Sequence, residues 1–520
     1  MTLEMHPHRW GDPAAAETLP ESTRALVDAF VGTRPTPVDA EAVLPPSGLP
    51  TEVLDPLRVA LGTDAVLTED GVRRLRTRGK STPDLLRARA GDLADAPDAV
   101  VRPGSHDNVA TVLQWAQEHR VAVVPFGGGT SVTGGLAARR EGYAGLVSLD
   151  LVRLDALVAV DQESRTAVLQ AGMRGPAAEA ALAAYGLTLG HFPQSFEFAS
   201  IGGFAATRSS GQASAGFGRF DDMVVGLRVA TPAGDLVLGS APANAAGPDL
   251  RELVLGSEGA FGVITEVTLR VRPVATQKAY EAWAFTDFDA GADAMRRVVQ
   301  AGLRPTVLRL SDEAETMVNL ASQTAIGGDG VAGCLLVVGF EGHGVAGVRE
   351  AVTAVLAEAG GTALGAERGE AWVAGRFHAP YLRDSLLDVG VLVETLETAT
   401  FWSRRREVYD AVRSALQASL GEKALVLCHI SHVYETGCSL YFTVAAPQAD
   451  DPLAQWWEAK AAASDAMIDA GATITHHHAV GTDHLPWLAR EIGPVGVAML
   501  RGVKAAVDPL LILNPGVLIP

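Results

Sequence analysis

The chain has 520 residues, too many for one core of ordinary size, so two or more domains are expected. Hydrophobic residues at 48% and charged residues at 20% are the balance of a globular protein, and a formal net charge of −19 works against nucleic acid or anionic membrane as a default partner. Three cysteines with no CxxC pair exclude a disulfide framework or zinc ribbon, and no apolar run has the length of a signal-peptide core or a transmembrane segment, so cytoplasmic is the expectation.

Residues 1–95 are rich in Pro, Ala and charge and read as a partly extended arm with helical patches at 22–31 and 85–93. Ser105, His106 and Asp107 are cap residues for a helix in which Val109, Val112, Leu113 and Ala116 recur at helical spacing. That helix leads into a short apolar strand and then Pro125, Phe126, Gly127, Gly128, Gly129, Thr130 and Ser131. Three residues without Cβ allow close approach of a ligand and φ above zero, and the loop is a nest of N–H groups suited to a diphosphate. GxxxxGK[ST] is absent, so phosphoryl transfer is not indicated.

Strands are expected at 146–149, 156–160 and 165–171, and a helix at 176–185 that stops at Gly186. Residues 190–234 are dense in Ser, Gly and Thr yet bounded by strands, which marks a second ligand-lining segment rather than a linker. A third, at 253–271, has Gly256, Gly259 and Gly262 in a tight turn before a β-rich run. Three such segments in order say more than one glycine loop does.

Past Pro273 strands and helices alternate: strand 306–310, helix 313–320, strand 335–340, helix 345–358, strand 391–396, helix 403–416, then strands 424–433 and 439–444. The pattern is an α+β cap with a mostly antiparallel sheet. Helices at 454–470 and 495–507 return to the body. The division is an arm at 1–95, a ligand-binding domain at 96–275, a cap at 276–452 and a returning segment at 453–520. Gly342, Gly344 and Gly347 fit GxGxxG between a strand and a helix, but the better diphosphate loop upstream makes a strand-to-helix turn the preferred reading over NAD.

Residues able to carry chemistry follow. If the extended run at 472–475 continues, His476 and His478 share one face and His477 points the other way, with metal ligation, acid–base work and structural roles all open. No metal is assigned. On a hairpin turning at Glu435, Thr436 and Gly437, Tyr441 and Thr443 lie on one face, opposite Leu440 and Phe442, where Tyr441 is either a packed aromatic or a proton donor. Arg383 lies in a cap helix, where it either pairs with Asp384 or Asp388 or grips an anion in bidentate fashion.

The order glycine loop, Ser/Gly-rich segment and GSEGAFGVITE resembles the FAD-binding PCMH-type domain of the vanillyl-alcohol oxidase superfamily, from about residue 97 to the C-terminus. That resemblance implies an α+β, two-part FAD-binding domain under the cap and non-covalent FAD. It also implies cofactor contacts from Pro125, Gly127, Gly128, Gly129, Thr130, Ser131, Ser195, Ser200, Gly202, Gly203, Ser209, Glu258, Gly262 and Ile264. Within it, PYLRD, CHISHVY, CSLYF and HHHAVG resemble the alkyldihydroxyacetonephosphate synthase family.

This second resemblance implies FAD used without net redox: an adduct at flavin N5, loss of an acyl group and entry of a fatty alcohol, in a protein that is often a homodimer. Arg383 would hold the anionic headgroup, Tyr441 would be the general acid/base, and His476, His477 and His478 would move protons. The chain departs from the family pattern at Ala479, where Gly is usual, and at Thr482, Asp483 and His484, where basic residues are usual. The rival readings are an FAD-linked oxidase or dehydrogenase of a 2-hydroxy acid or other alcohol, and a flavin-binding protein without catalysis. The first rival usually carries Glu-His-Gly where this chain has His477, His478 and Ala479.

Overall fold

The computed structural model describes residues 3–137, 139–318 and 332–520. A four-stranded sheet runs in the order Val66–Leu67, Ala99–Val101, Gly145–Asp150, Val121–Phe126. The first pair is antiparallel and the other pairs are parallel. The two central strands read as apolar runs and are buried along their whole length, as strands covered on both faces are. The helix His106–His119, capped by the Ser105 hydroxyl accepting from the Asn108 N–H, buries Val109, Val112, Leu113 and Ala116 in the same core. A second sheet is antiparallel throughout, in the order Leu157–Asp161, Thr166–Gln170, Val263–Arg270, Val224–Thr231, Gly234–Leu238. One cluster containing Val123, Val147, Leu169, Val229 and Val267 joins the two sheets.

The glycine loop leaves the end of Val121–Phe126. The far end of the chain braces that strand: the Val123 N–H donates to the Ile512 carbonyl at 2.8 Å, and the Asn514 N–H donates to the Val123 carbonyl at 2.8 Å.

Seven antiparallel strands form the other large sheet, in the order Thr362–Gly365, Gln277–Phe285, Cys334–Gly342, Val307–Ser311, Leu425–Ile430, Gly437–Pro447, Val391–Phe401. Because side chains alternate along a strand, this sheet has two different faces. Leu308, Leu310, Leu336, Val426, Cys428, Leu440, Phe442 and Val444 pack against the helices Phe288–Gln300 and Arg405–Leu420. A fully buried Leu or Phe contributes roughly 1.5–3 kcal/mol, so this face holds the cap together. The opposite face presents Val307, Arg309, Val337, Val393, Thr395, Leu427, His429, Tyr441 and Thr443 to a cavity.

Some expectations differ from what is observed. The helix expected at 313–320 is described as Glu313–Val318, and residues 319 and 320 lie outside the described residues. No strand forms at 472–475. The helix expected at 495–507 starts earlier, at Leu485, and is broken at Gly493, with φ 71, just before Pro494. A Pro inside an apolar pattern reads as a stop, and here it is a kink. At the GxGxxG run, Gly342 and Gly344 have φ of 155 and 69 and turn the chain from strand to helix, and none of its three glycines lines the cavity. Among the described residues no helix is long and apolar enough to cross a membrane. All three cysteines are buried and unpaired.

Candidate active site

The cavity between the cap sheet and the glycine segments has a volume of about 1430 Å³. An ordinary small-molecule site takes roughly 300–1,000 Å³, so there is space for two molecules side by side. Pro125, Gly127, Gly128, Gly129, Thr130, Ser131, Ser195, Ser200, Gly202, Gly203, Ser209, Glu258, Gly262 and Ile264 all line it, as do Arg383, Tyr441, His477 and His478. His476 stands behind His477, outside the lining.

The glycine loop faces two neighbours. Among the described residues the N–H groups of Gly128, Gly129, Thr130 and Ser131 find no protein acceptor, which leaves four donors for an anion. Only Gly129 of the three glycines has a positive φ, 70. Gly127 and Gly128 serve packing as well as ligand approach. A Cβ on Gly128 would lie 2.7 Å from the Ala199 Cα and 2.7 Å from an Arg174 nitrogen, and one on Gly127 would strike the Ser200 hydroxyl. The second ligand-lining segment therefore sits directly on the first, and Ser200 caps the helix Ile201–Thr207 at the junction.

Behind the loop, Arg76, Arg102 and Arg174 stand against Glu4 and Asp150, so three cations face two carboxylates and one positive charge is in excess. This charge suits a diphosphate. The sequence reading missed Arg174, which lies in no motif; its contribution depends on the chain returning to the loop.

The three histidines are not on a strand. They lie on a tight loop whose backbone converges on one carboxylate. Glu397, in the strand Val391–Phe401, accepts from the N–H groups of His476, His477 and His478 at 2.7, 3.1 and 2.9 Å, and from the Thr475 hydroxyl. This overturns the alternation expected for an extended run: His477 and His478 both reach the cavity, and His476 turns away to the Tyr434 hydroxyl. Burial works to raise the Glu397 carboxyl, but the His477 imidazole beside it holds it well below the usual range. Burial also drives His476 and His478 down to about 3, which keeps both neutral.

The loop is clamped from the other side as well. Glu258 accepts from the Val480 and Gly481 N–H groups at 3.1 and 2.8 Å, and burial pushes its carboxyl up to about 7. Thr133 donates its hydroxyl to the His478 carbonyl at 3.0 Å. The histidine loop thus joins the glycine segments to the cap sheet. His432, His476 and His477 place ring nitrogens within 4.8 Å of one another, but His432 Nδ1 meets the Ser214 and Ser210 hydroxyls at 2.6 and 3.0 Å, and His476 uses both its nitrogens on protein neighbours.

Tyr441 and Thr443 share the cavity face while Leu440 and Phe442 are in the core, as the hairpin alternation predicts. Burial raises the Tyr441 phenol to about 12, so it is protonated at neutral pH. Its ring stacks on His429 at 4.7 Å. Behind His429, Glu315 lies 3.0 Å from Nδ1 and also pairs with Arg309; burial raises that carboxyl, but His429 and Arg309 together bring it to about 2. Arg309 and Glu315 are site features the sequence reading did not single out. Arg383, in the helix Ala379–Leu387, donates to the Lys80 carbonyl at 2.8 Å and lies 3.5 Å from Asp384. Its Nε is buried without a hydrogen-bond partner, and the terminal nitrogen that faces Asp384 makes an ion pair but no hydrogen bond, so donors remain for an anion.

Comparison with known proteins places this geometry. The family "FAD binding domain" matches residues 97–239, and "FAD linked oxidases, C-terminal domain" matches residues 274–518. Fold and site together define an FAD-dependent enzyme of the PCMH type. The alkyldihydroxyacetonephosphate synthase of Trypanosoma brucei brucei is 34% identical over 519 residues, covering 94% of this chain and 84% of that protein. The one from Dictyostelium discoideum is 34% identical over 481 residues, covering 87% of this chain and 78% of that protein. A solved alkyldihydroxyacetonephosphate synthase structure superimposes with a TM-score of 0.83 at 28% identity, covering 98% of this chain and 99% of that one. The chain belongs to the alkyldihydroxyacetonephosphate synthase family.

Proposed function

We propose that this protein exchanges the acyl group of an acyl-dihydroxyacetone phosphate for a fatty alcohol, with FAD bound non-covalently and with no net oxidation, as in ether lipid synthesis. The observation that carries the reading is the gradient along the cavity. At one end stand His477, His478, Tyr441, His429 and Arg383. Along the same strands the lining becomes Val393, Val391 and Ala445, and then Leu26, Val27, Phe30 and Val31 of the N-terminal arm, with the exposed Glu422 and Lys423 as the charged groups beside them. A headgroup and reacting carbon suit the first end, and an alkyl chain suits the second.

The division into an arm at 1–95, an FAD domain at 96–275, a cap at 276–452 and a returning segment at 453–520 assigns the cofactor to the glycine segments and the substrate to the cap, although Leu54, Leu57 and Val66 of the arm pack in the core beneath the glycine segments and the helix Pro452–Asp469 packs Trp456, Ala459 and Ala463 in the cap core. The unspent N–H groups of Gly128 to Ser131 and the excess positive charge behind them suit the FAD diphosphate. When bound, FAD supplies the ring that activates the substrate carbon bearing the acyl group.

Arg383 grips the phosphate with its free N–H groups. Tyr441, protonated at neutral pH, donates to the substrate oxygen and is regenerated as the exchange closes. His477 takes the proton of the incoming alcohol. The missing basic residues at Thr482, Asp483 and His484 take nothing from the cavity, because these side chains face Gly134 and Lys460 rather than the lining.

Incubation of the flavin-loaded protein with acylated dihydroxyacetone phosphate and a labelled fatty alcohol should release fatty acid and yield labelled ether in equal amounts. Fatty acid release without label in the product would reduce the activity to ester hydrolysis and defeat the reading.

A further inference from the structure

The exchange proposed above liberates a proton. The alcohol enters as R′–OH, the acyl group leaves as RCOO⁻, the ether bond R′–O–C forms, and one H⁺ per turnover must travel from a largely apolar cavity to water. This inference rests on that reading.

We propose that the proton leaves through His477, His476 and Tyr434. His477 lines the cavity, and its Nδ1 lies 2.9 Å from His476 Nδ1. His476 is buried behind it, and its Nε2 meets the Tyr434 hydroxyl. Tyr434 is half-buried on the connection between Leu425–Ile430 and Gly437–Pro447, and the next two residues, Glu435 and Thr436, are exposed. The line therefore runs from the cavity to Tyr434, with a hydrogen-bonded contact at each joint, and Tyr434 sits on a connection that is exposed at its next two residues.

Its geometry is held from several sides. The Tyr434 N–H donates to the Gly437 carbonyl at 2.8 Å, and its carbonyl accepts from the Trp402 indole at 3.0 Å. Arg219, paired with Asp221, donates to the His476 carbonyl at 3.3 Å. The charged groups near Tyr434 are Arg219, Asp221 and the exposed Asp222, with Glu397 further in. Each step moves one proton. His477 accepts the alcohol proton at Nε2 and gives up its Nδ1 proton to His476 Nδ1. His476 passes its Nε2 proton to the Tyr434 oxygen, and the Tyr434 hydroxyl proton goes to water. Glu397, 3.4 Å from His477 Nδ1, faces the imidazolium that forms in passing. His432 is off the line, since its Nδ1 is held by Ser214 and Ser210.

Tyr434 acts through His476 and does not touch substrate. The test is Tyr434→Phe in the flavin-loaded protein, with wild type alongside. A relay of this kind is worth a part of the roughly 10²–10⁴-fold of general acid–base catalysis, so kcat should fall about 10- to 100-fold with KM for both substrates unchanged. The solvent deuterium isotope effect should grow, and imidazole added as a small proton carrier should restore turnover. The flavin spectrum should stay as in wild type, while the ¹⁵N resonance of His476 Nε2 should move.

Tyr434→His keeps a proton-passing nitrogen and should retain most of the turnover, which covers the case in which the Phe variant folds poorly. Wild-type turnover in Tyr434→Phe, or a loss that neither imidazole nor Tyr434→His repairs, overturns the path alone. A wild type that exchanges nothing overturns the reading beneath it, and the path with it.

Discussion

Glu397 shows how much of the site hangs on one side chain. Its residue is 2% exposed and its carboxylate satisfies three consecutive backbone N–H groups and one hydroxyl. Removing one partner of such a buried set costs about 3–5 kcal/mol, so Glu397→Ala should lower unfolding stability by that order and loosen the histidine loop. Chemical denaturation of the purified variant measures this.

Glu258 gives a different test. Its folded carboxyl is raised from the ordinary 4.5 to about 7 by burial. Between these values the folded state holds a proton the unfolded state has lost, so this residue's contribution falls as pH rises across the window. The thermal midpoint of wild type relative to Glu258→Gln should therefore drop from about pH 4.5 to 7, and a flat difference would refute the assignment. Tyr441→Phe should cut exchange about 10²–10⁴-fold while flavin stays bound, as measured by product formation and the flavin spectrum. Tyr441 was legible in the sequence because strand alternation is local. Glu397, Arg174 and Glu315 were not, because each acts across elements far apart in the chain.

The histidine loop, as an element, carries backbone strain. Ala479 has φ 72 and Gly481 has φ 56. A non-glycine residue in the left-handed region costs roughly 1–2 kcal/mol, while glycine adds chain entropy to the unfolded state worth roughly 0.5–1 kcal/mol. Ala479→Gly should therefore leave stability unchanged or raise it by up to about 1.5 kcal/mol. Gly481→Ala should do the reverse, because its Cβ would also strike the Thr133 carbonyl. Paired denaturation curves of the two variants check the sign of each.

The departure at Ala479 is thus tolerated by the loop's clamps, Glu397 and Glu258. Most cap strands and helices were readable to within a few residues from apolar periodicity. The extended run expected to continue from 472–475 into the histidines failed because the N–H groups of His476, His477 and His478 turn to the buried Glu397 carboxylate, and period alone does not announce such a partner. The three glycine segments were readable in order, but two glycines of the first proved to make room for the second segment.

At the scale of the whole molecule, the cap sheet is the organising element. One face is core, and the other graduates from titratable groups to a largely apolar end lined by the N-terminal arm. A cavity of about 1430 Å³ with that polarity suits a flavin and a lipid-like substrate together. A small 2-hydroxy acid would leave the apolar end without a role. The central claim is that the bound flavin serves an exchange with no net transfer of electrons, and the direct measurement is flavin absorbance followed anaerobically while product forms. With acylated dihydroxyacetone phosphate and a fatty alcohol, many turnovers of ether should accumulate while the flavin ends oxidised and no electron acceptor is needed. Lasting bleaching by a 2-hydroxy acid, with no ether formed from the lipid pair, would contradict the account.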